Sequence, residues 1–218
     1  MAEIKKGLLG PITGKVGPVV GLQYRGKNIL RAAPKKSTKQ ASPKQIQQRN
    51  KLILVVQFLK DIRTFINAHY PNQIINGSSK VGYDQIRSTL MKEGGVWGND
   101  LLYIQIEKVV VSMGSLPPAA IKKIAFLKNR KIKIQWDPLI FSGLNSSDDT
   151  LTVLMYNENL NQFEQSETIG KREDKYSTLV IPQHWEYGKI HFWSVWSTAD
   201  KTMHSTSLYH APLDLAAM

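Results

Sequence analysis

Lys131-Ile132-Lys133-Ile134-Gln135-Trp136 alternates without a break. Ile132, Ile134 and Trp136 fall on one side and the polar residues on the other, the period of two expected of a strand with one buried face. Similar short segments surround it from about residue 119 onward. They are placed at 121–127, 149–156, 162–168, 175–181, 189–197 and 203–209. Within 189–197, Ile190, Phe192, Ser194 and Trp196 share one face, and His191, Trp193 and Val195 the other. Asp137-Pro138, Asn157 to Asn161 and Ala199-Asp200-Lys201 supply turns between segments. Seven strands in about 95 residues predict an all-β immunoglobulin-like or fibronectin type III-like sandwich over 119–218.

Upstream the pattern changes period. Gly114-Ser115-Leu116-Pro117-Pro118 has the composition of a linker, which sets residues 1–116 apart as a first domain. Leu101 to Met113 is rich in Val and Ile and reads as a strand, bent near Glu107. Tyr83 to Glu93 reads as a short helix ended by Gly94-Gly95. Ser42-Pro43 opens a long helix, with Ser as N-cap and Pro at the first helical position, and Pro71 stops it. Leu52, Val55, Val56, Leu59, Ile62 and Ile66 form its apolar face. Leu54, Phe58 and Phe65 widen that face, so this helix needs cover on more than one side. Val19–Tyr24 and 28–33 flank Arg25-Gly26-Lys27 and predict a β-hairpin. The fold class expected is therefore α+β: a hairpin, two helices and a strand, followed by the sandwich.

The charge is local. Of the 29 Lys and Arg that set a formal net charge of +12, twelve lie in residues 1–51, where Glu3 is the one acid. Arg25, Lys27, Arg31, Lys35, Lys36 and Lys39 are the candidate contacts to a polyanion or a partner protein. Six phosphate contacts on duplex DNA would give a log-log salt slope of roughly −5. The stretch lacks a fold signature for nucleic-acid recognition, so binding to nucleic acid stands as the second reading. Gly14, Gly17 and Gly21 are followed by strand-like residues and Lys15 by Val16, which favours bends in a two-stranded arm over a phosphate loop.

With no cysteine, disulfides and thiolate chemistry are excluded. The opening residues are too interrupted for a signal peptide, and no apolar run is long enough to span a membrane. These features predict a cytoplasmic or virion-associated protein. The five histidines, His69, His184, His191, His204 and His210, include no helical i, i+4 pair, so no metal site is expected. His191 and His204 can approach across paired strands. Ser194 and Ser197 lie near His191 but outside any Gly-x-Ser-x-Gly turn. Asp148-Asp149 is thin as a calcium site. No cofactor and no enzyme activity are expected. Trp185, Trp193 and Trp196 form a candidate aromatic surface for a glycan or protein, because alternation puts Trp193 and Trp196 on opposite faces and one of them outside the sandwich.

The residues GKVGPVVG (14–21), Tyr24-Arg25-Gly26, Asn28-Ile29-Leu30-Arg31, Ser42, Gln45, Gln48-Arg49 and Phe58-Leu59, with the later Ile181-Pro182-Gln183-His184-Trp185, resemble an uncharacterised bacterial family known only as a domain of unknown function. That resemblance covers most of the chain and implies the two-part architecture without a catalytic residue. About forty residues, in the order Gly-rich hairpin, Arg, Pro, polar spacer, Gln-x-x-Arg and helix, are also similar to phage virion proteins in which a β-rich arm precedes a helix. Together these observations predict a non-enzymatic structural or interaction protein, a homo-oligomer or a component of a virion-like or other assembly. It would assemble through its N-terminal part and present the sandwich.

Overall fold

A computed structural model describes residues 3–4, 10–24, 26–35, 39–75, 78–92, 96–97, 101–138 and 143–217. It has a mixed architecture of helices and antiparallel sheets. The chain divides into two compact units, one of Met1–Gln47 with Ile74–Ser79, the other of Gln48–Gln73 with Lys80–Met218.

The first unit holds strands β1 (Glu3–Ile4), β2 (Ile12–Val16), β3 (Val19–Tyr24) and β4 (Lys27–Ala32), hydrogen-bonded in that order in an antiparallel sheet. The expected hairpin is β3–β4; β1 and β2 extend it. Gly21 is a close approach: a Cβ there would meet the Ile12 carbonyl oxygen at 2.1 Å. Directly across from Gly21 stands Leu30. With no side chain on Gly21 to lie against, Leu30 is 64% exposed.

Helix α1 (Pro43–Leu59) starts where Ser42-Pro43 places it. Gln45 N–H donates to the Ser42 hydroxyl at 3.4 Å, and Ser42 N–H donates to the Gln45 side-chain oxygen at 3.1 Å, a reciprocal capping box. The single helix expected to run on to Tyr70 is two. Lys60 N–H turns back to the Gln57 carbonyl and Arg63 N–H to the Lys60 carbonyl, so the i−4 ladder breaks over 60–62 and α2 (Arg63–His69) starts beyond the break. The break changes which residues are covered. Val55, Phe58, Leu59, Ile62, Phe65 and Ile66 are buried, whereas Leu52, Ile53 and Val56 stay exposed.

Short strands β5 (Gln73–Ile75) and β6 (Ser78–Lys80) pair before helix α3 (Gly82–Lys92), and β7 (Val96–Trp97) pairs with β8 (Tyr103–Ile104). The strand expected over Leu101–Met113 is not regular. A 3-10 turn at Ile106–Lys108 interrupts it, and the residues beyond the turn are held by single backbone and side-chain hydrogen bonds rather than a ladder. Val111 N–H donates to the Ser207 hydroxyl at 2.9 Å, and the Ser112 hydroxyl donates to the Ser205 carbonyl at 2.7 Å.

The all-β region follows the alternation closely. β9 (Ile121–Leu127), β10 (Lys131–Trp136) and β13 (Tyr176–Val180) form one sheet in the order β13-β10-β9; β11 (Thr150–Asn157), β12 (Gln162–Lys171), β14 (Lys189–Ser197) and β15 (Leu208–Asp214) form another in the order β12-β11-β14-β15. The last strand lies later than the expected 203–209, because 204–207 instead bridges to Ser197 and Ser115. Ile132, Ile134, Trp136 and Leu179 share an apolar interior with Leu151, Val153, Met155, Ile190, Phe192 and Trp196. The opposite face of β11 and β14, carrying Leu154, Tyr156, Trp193 and Val195, packs with Val55, Phe58, Leu59, Ile66, Ile86, Leu90 and Val111. Phe58 sets its ring edge-on to Tyr156 and Phe163 at 5.1 and 5.0 Å.

The boundary read at 116–119 therefore does not coincide with the division into compact units, which falls between Gln47 and Gln48. Residues 114–118 are no open linker. Leu116 is 1% exposed and its N–H donates to the His204 carbonyl at 3.1 Å. A Cβ on Gly114 would meet that same carbonyl oxygen at 1.9 Å, so only glycine lets the segment lie this close.

One charged pair is sealed inside. Arg172 Nε donates to Asp149 Oδ2 at 3.1 Å with both side chains at 1% exposure or less. Arg172 Nη2 donates to the Pro117 carbonyl at 3.0 Å, its guanidinium lies 4.7 Å over the Trp196 ring, and its own carbonyl accepts from Trp136 Nε1 at 2.8 Å. Removing the carboxylate strands a buried cation. Asp149→Ala is expected to lower unfolding stability by about 3–5 kcal/mol, measured by urea titration with tryptophan emission as the probe.

Candidate functional site

Of the six basic candidates, Lys27, Arg31, Lys35 and Lys39 are exposed; Arg25 and Lys36 lie outside the described residues. Lys27 and Arg31 belong to β4, the edge strand of its sheet, all six residues of which are exposed. The surface they stand on is not simply polar. Val16 and Tyr24 are each 53% exposed, and Val19 and Ile29 are exposed beside Leu30. The sequence reading singles out Tyr24, beside Arg25, for stacking on a base, but not Val16, Val19, Ile29 or Leu30, although a signal is present. Ile29 and Leu30 are neighbours on a strand and must point to opposite faces, which gives each face of β4 an apolar residue.

The tryptophans behave differently from expectation. Trp193 and Trp196 do lie on opposite faces of β14, but neither is exposed: both are 0% accessible, and Trp185 is 1% accessible. Trp196 fills the interior shared by the two sheets. Trp193 lies under the helical layer, where its Nε1 donates to the Val109 carbonyl at 2.8 Å. Trp185 Nε1 donates to the Gln162 side-chain oxygen at 3.3 Å. The aromatic contact surface is thus corrected to core. Alternation specifies two faces of a strand, not whether a third layer covers the second one.

The histidines are rearranged as well. His191 does not meet His204 across strands. Its Nδ1 pairs with the Tyr209 hydroxyl at 2.9 Å and its Nε2 lies 3.4 Å from Glu158. The serines near His191 in sequence are claimed by other histidines: Ser194 Oγ is 2.8 Å from His210 Nε2, and Ser197 Oγ is 2.9 Å from His204 Nδ1. Ser194 is 1% exposed inside the strand, a poor position for attack on a substrate. Burial lowers His69, His191, His204 and His210 from the ordinary histidine range. Burial pushes the Tyr156 hydroxyl up to about 12, and Glu158 adds to the rise. Asp148 pairs with exposed Lys171 at 2.8 Å and Asp149 with Arg172, so the acidic turn serves ion pairs. Among the described residues no group of three or more His, Asp or Glu is gathered to hold a metal ion.

His69 and His204 come together at a cleft of about 670 Å³, lined also by Tyr70, Met113, Lys201 and Met203. Their rings are 4.4 Å apart. No spacing signal could have paired them, because one ends a helix and the other lies far along the chain in a bridging segment. A smaller cleft of about 200 Å³ is bounded by Phe58, Tyr103, Ile106, Tyr156 and Glu158. No helix among the described residues is long and apolar enough to cross a membrane.

A model described as a family of unknown function (DUF6266) matches residues 11–211. Comparison with curated proteins finds no match.

Trp193 is a core ring here, so truncating it should cost stability in the manner of a large cavity. Trp193→Ala is expected to lose about 3–5 kcal/mol, read from the shift of the urea midpoint at constant slope.

Proposed function

The chain belongs to this family of unknown function, and we propose that it is a non-enzymatic structural or interaction protein that assembles through its N-terminal sheet. One observation carries the reading: β2, β3 and β4 expose Val16, Val19, Tyr24, Ile29 and Leu30 to water, and β4 is exposed along its whole length. Apolar side chains exposed on a sheet gain stability when a partner covers them. β4 is also the edge strand of its sheet, a position to which a further strand can add. Separately, within the second unit, Leu52, Ile53 and Val56 of α1 are exposed.

In this reading the all-β region is what the assembly presents. Its strand order, β13-β10-β9 against β12-β11-β14-β15, supports a fibronectin type III-like sandwich. The absence of acids between Glu3 and Asp61 favours a second reading, in which the same exposed Lys27, Arg31 and Lys35 meet a polyanion. A cytoplasmic or virion-associated setting fits either partner. The buried tryptophans give no support to a glycan-binding module.

Light scattering separates these outcomes. The full chain is expected to exceed the 24.6 kDa of a single copy at about 50 μM, and Leu30→Lys to return it to that mass without loss of helix signal. A wild-type monomer at that concentration would overturn assembly by self-association. Retention on heparin that falls steeply with salt, and falls further in Arg31→Glu, is the result expected of the polyanion reading instead.

A further inference from the structure

We propose that His69 and His204 form a proton-operated latch that holds α2 and the 112–116 segment against the strands, closed when both rings are neutral and released when they are charged. The latch lies within the second unit and is independent of the assembly surface.

The geometry fixes the parts. His69 ends α2, stacked on Phe65 with ring centroids 4.0 Å apart, and its Nδ1 is 2.9 Å from the Phe65 carbonyl oxygen. A carbonyl only accepts, so Nδ1 carries the hydrogen and Nε2 is the atom that takes up a proton. His204 packs on His69 at 4.4 Å with its plane tilted by 50°, and its Nδ1 meets the Ser197 hydroxyl. The two backbone carbonyls are stapled by one stretch of chain: Met113 N–H donates to the His69 carbonyl and Leu116 N–H to the His204 carbonyl, both at 3.1 Å. The Ser112 hydroxyl also lies 3.2 Å from the His69 carbonyl. Separating the rings therefore pulls on 112–116 from both ends. The cleft beside them gives solvent protons a path.

The surrounding charges do not neutralise an imidazolium pair. Glu167 on β12 favours the charged form of His69, but it is paired with Lys201 at 3.2 Å, and Lys201 opposes protonation of both rings. Asp200, on the same turn as Lys201, directs its carboxylate to the Thr198 and Thr202 hydroxyls. From α2 and the neighbouring chain, Phe65 offers a carbonyl, and the Tyr70 hydroxyl donates to the Val110 carbonyl. Residues 112–116 carry no ionisable side chain. Two positive rings in contact would repel, since nothing intervenes between them.

Burial lowers both histidines from their ordinary range, and His69 further opposes charge on His204. A depressed folded-state value means that the open form binds more protons. The contribution of the closed pair is thus present above the ordinary histidine value and is lost as pH falls below it.

Hydrogen exchange on the full chain, corrected for the intrinsic pH dependence of exchange, tests the latch. Between about pH 7.5 and about pH 5.5, protection of 109–116 is expected to fall at least about tenfold, while β9 and β10 hold theirs. In the His69→Gln, His204→Gln double variant that local fall should disappear, although His191 and His210 still titrate. An equal local fall in the variant, or none in the wild type, would overturn the proposal. Should the variant not fold, imidazole NMR titration of the wild type decides. Two coupled steps below the ordinary histidine value support the latch, and two independent steps at that value refute it.

Discussion

Strands β11 and β14 are buried on both faces, and most of the second unit follows from that constraint. A strand covered on one side needs one partner layer; these two need two. The sheet β13-β10-β9 covers the face carrying Leu151, Val153, Phe192 and Trp196. Residues of α1, α2 and α3, with Val109 and Val111, cover the face carrying Leu154, Tyr156, Trp193 and Val195. Without the helical layer, an indole and an aliphatic stripe would lie in water. Without the sheet, α2 and α3 would have no apolar surface of this extent to pack against. Helices and strands are mutually required, which is why they fall in one compact unit rather than two.

Polar groups pin the layers where apolar packing alone would leave them free to slide. Ser207 accepts from Val111 and Ser112, Trp193 Nε1 binds the Val109 carbonyl, and Tyr70 reaches the Val110 carbonyl, so 109–112 is held by directional bonds on several sides. Arg172 does the same at 117, with Asp149 as counter-charge and Trp136 and Trp196 around it. Together these connections make a seam of 109–117, including the part that composition marks as a linker. The His69–His204 contact sits on that seam, where a change of charge has mechanical consequence.

The first unit obeys a different balance. Its strands carry apolar and basic side chains on exposed surface, with Leu30 opposite a glycine. Charge keeps such a sheet from pairing indiscriminately, and exposed Val, Ile and Leu give it something to bury when a complementary surface arrives. The charge asymmetry of the sequence and the compact division of the chain agree here. The basic stretch ends near Lys51, and the units divide at Gln47 and Gln48.

Much of the local structure was legible from residues alone, since it depends on neighbours in sequence. Ser42 and Gln45 are three apart and cap α1 reciprocally. Ile132, Ile134 and Trp136 alternate onto one face, and the opposition of Trp193 to Trp196 follows from the pleat of a strand. What lay beyond the sequence depends on pairs that no spacing relates. Burial of Trp193 rests on helices contributed by residues before 93; the break between α1 and α2, the seam at 109–116 and the approach of His69 to His204 rest on contacts made after layers dock. Alternation and capping are enforced by backbone geometry over a few residues, so the chain determines them locally. Coverage of a second face and proximity of distant rings are settled by packing, and only the tertiary structure decides them.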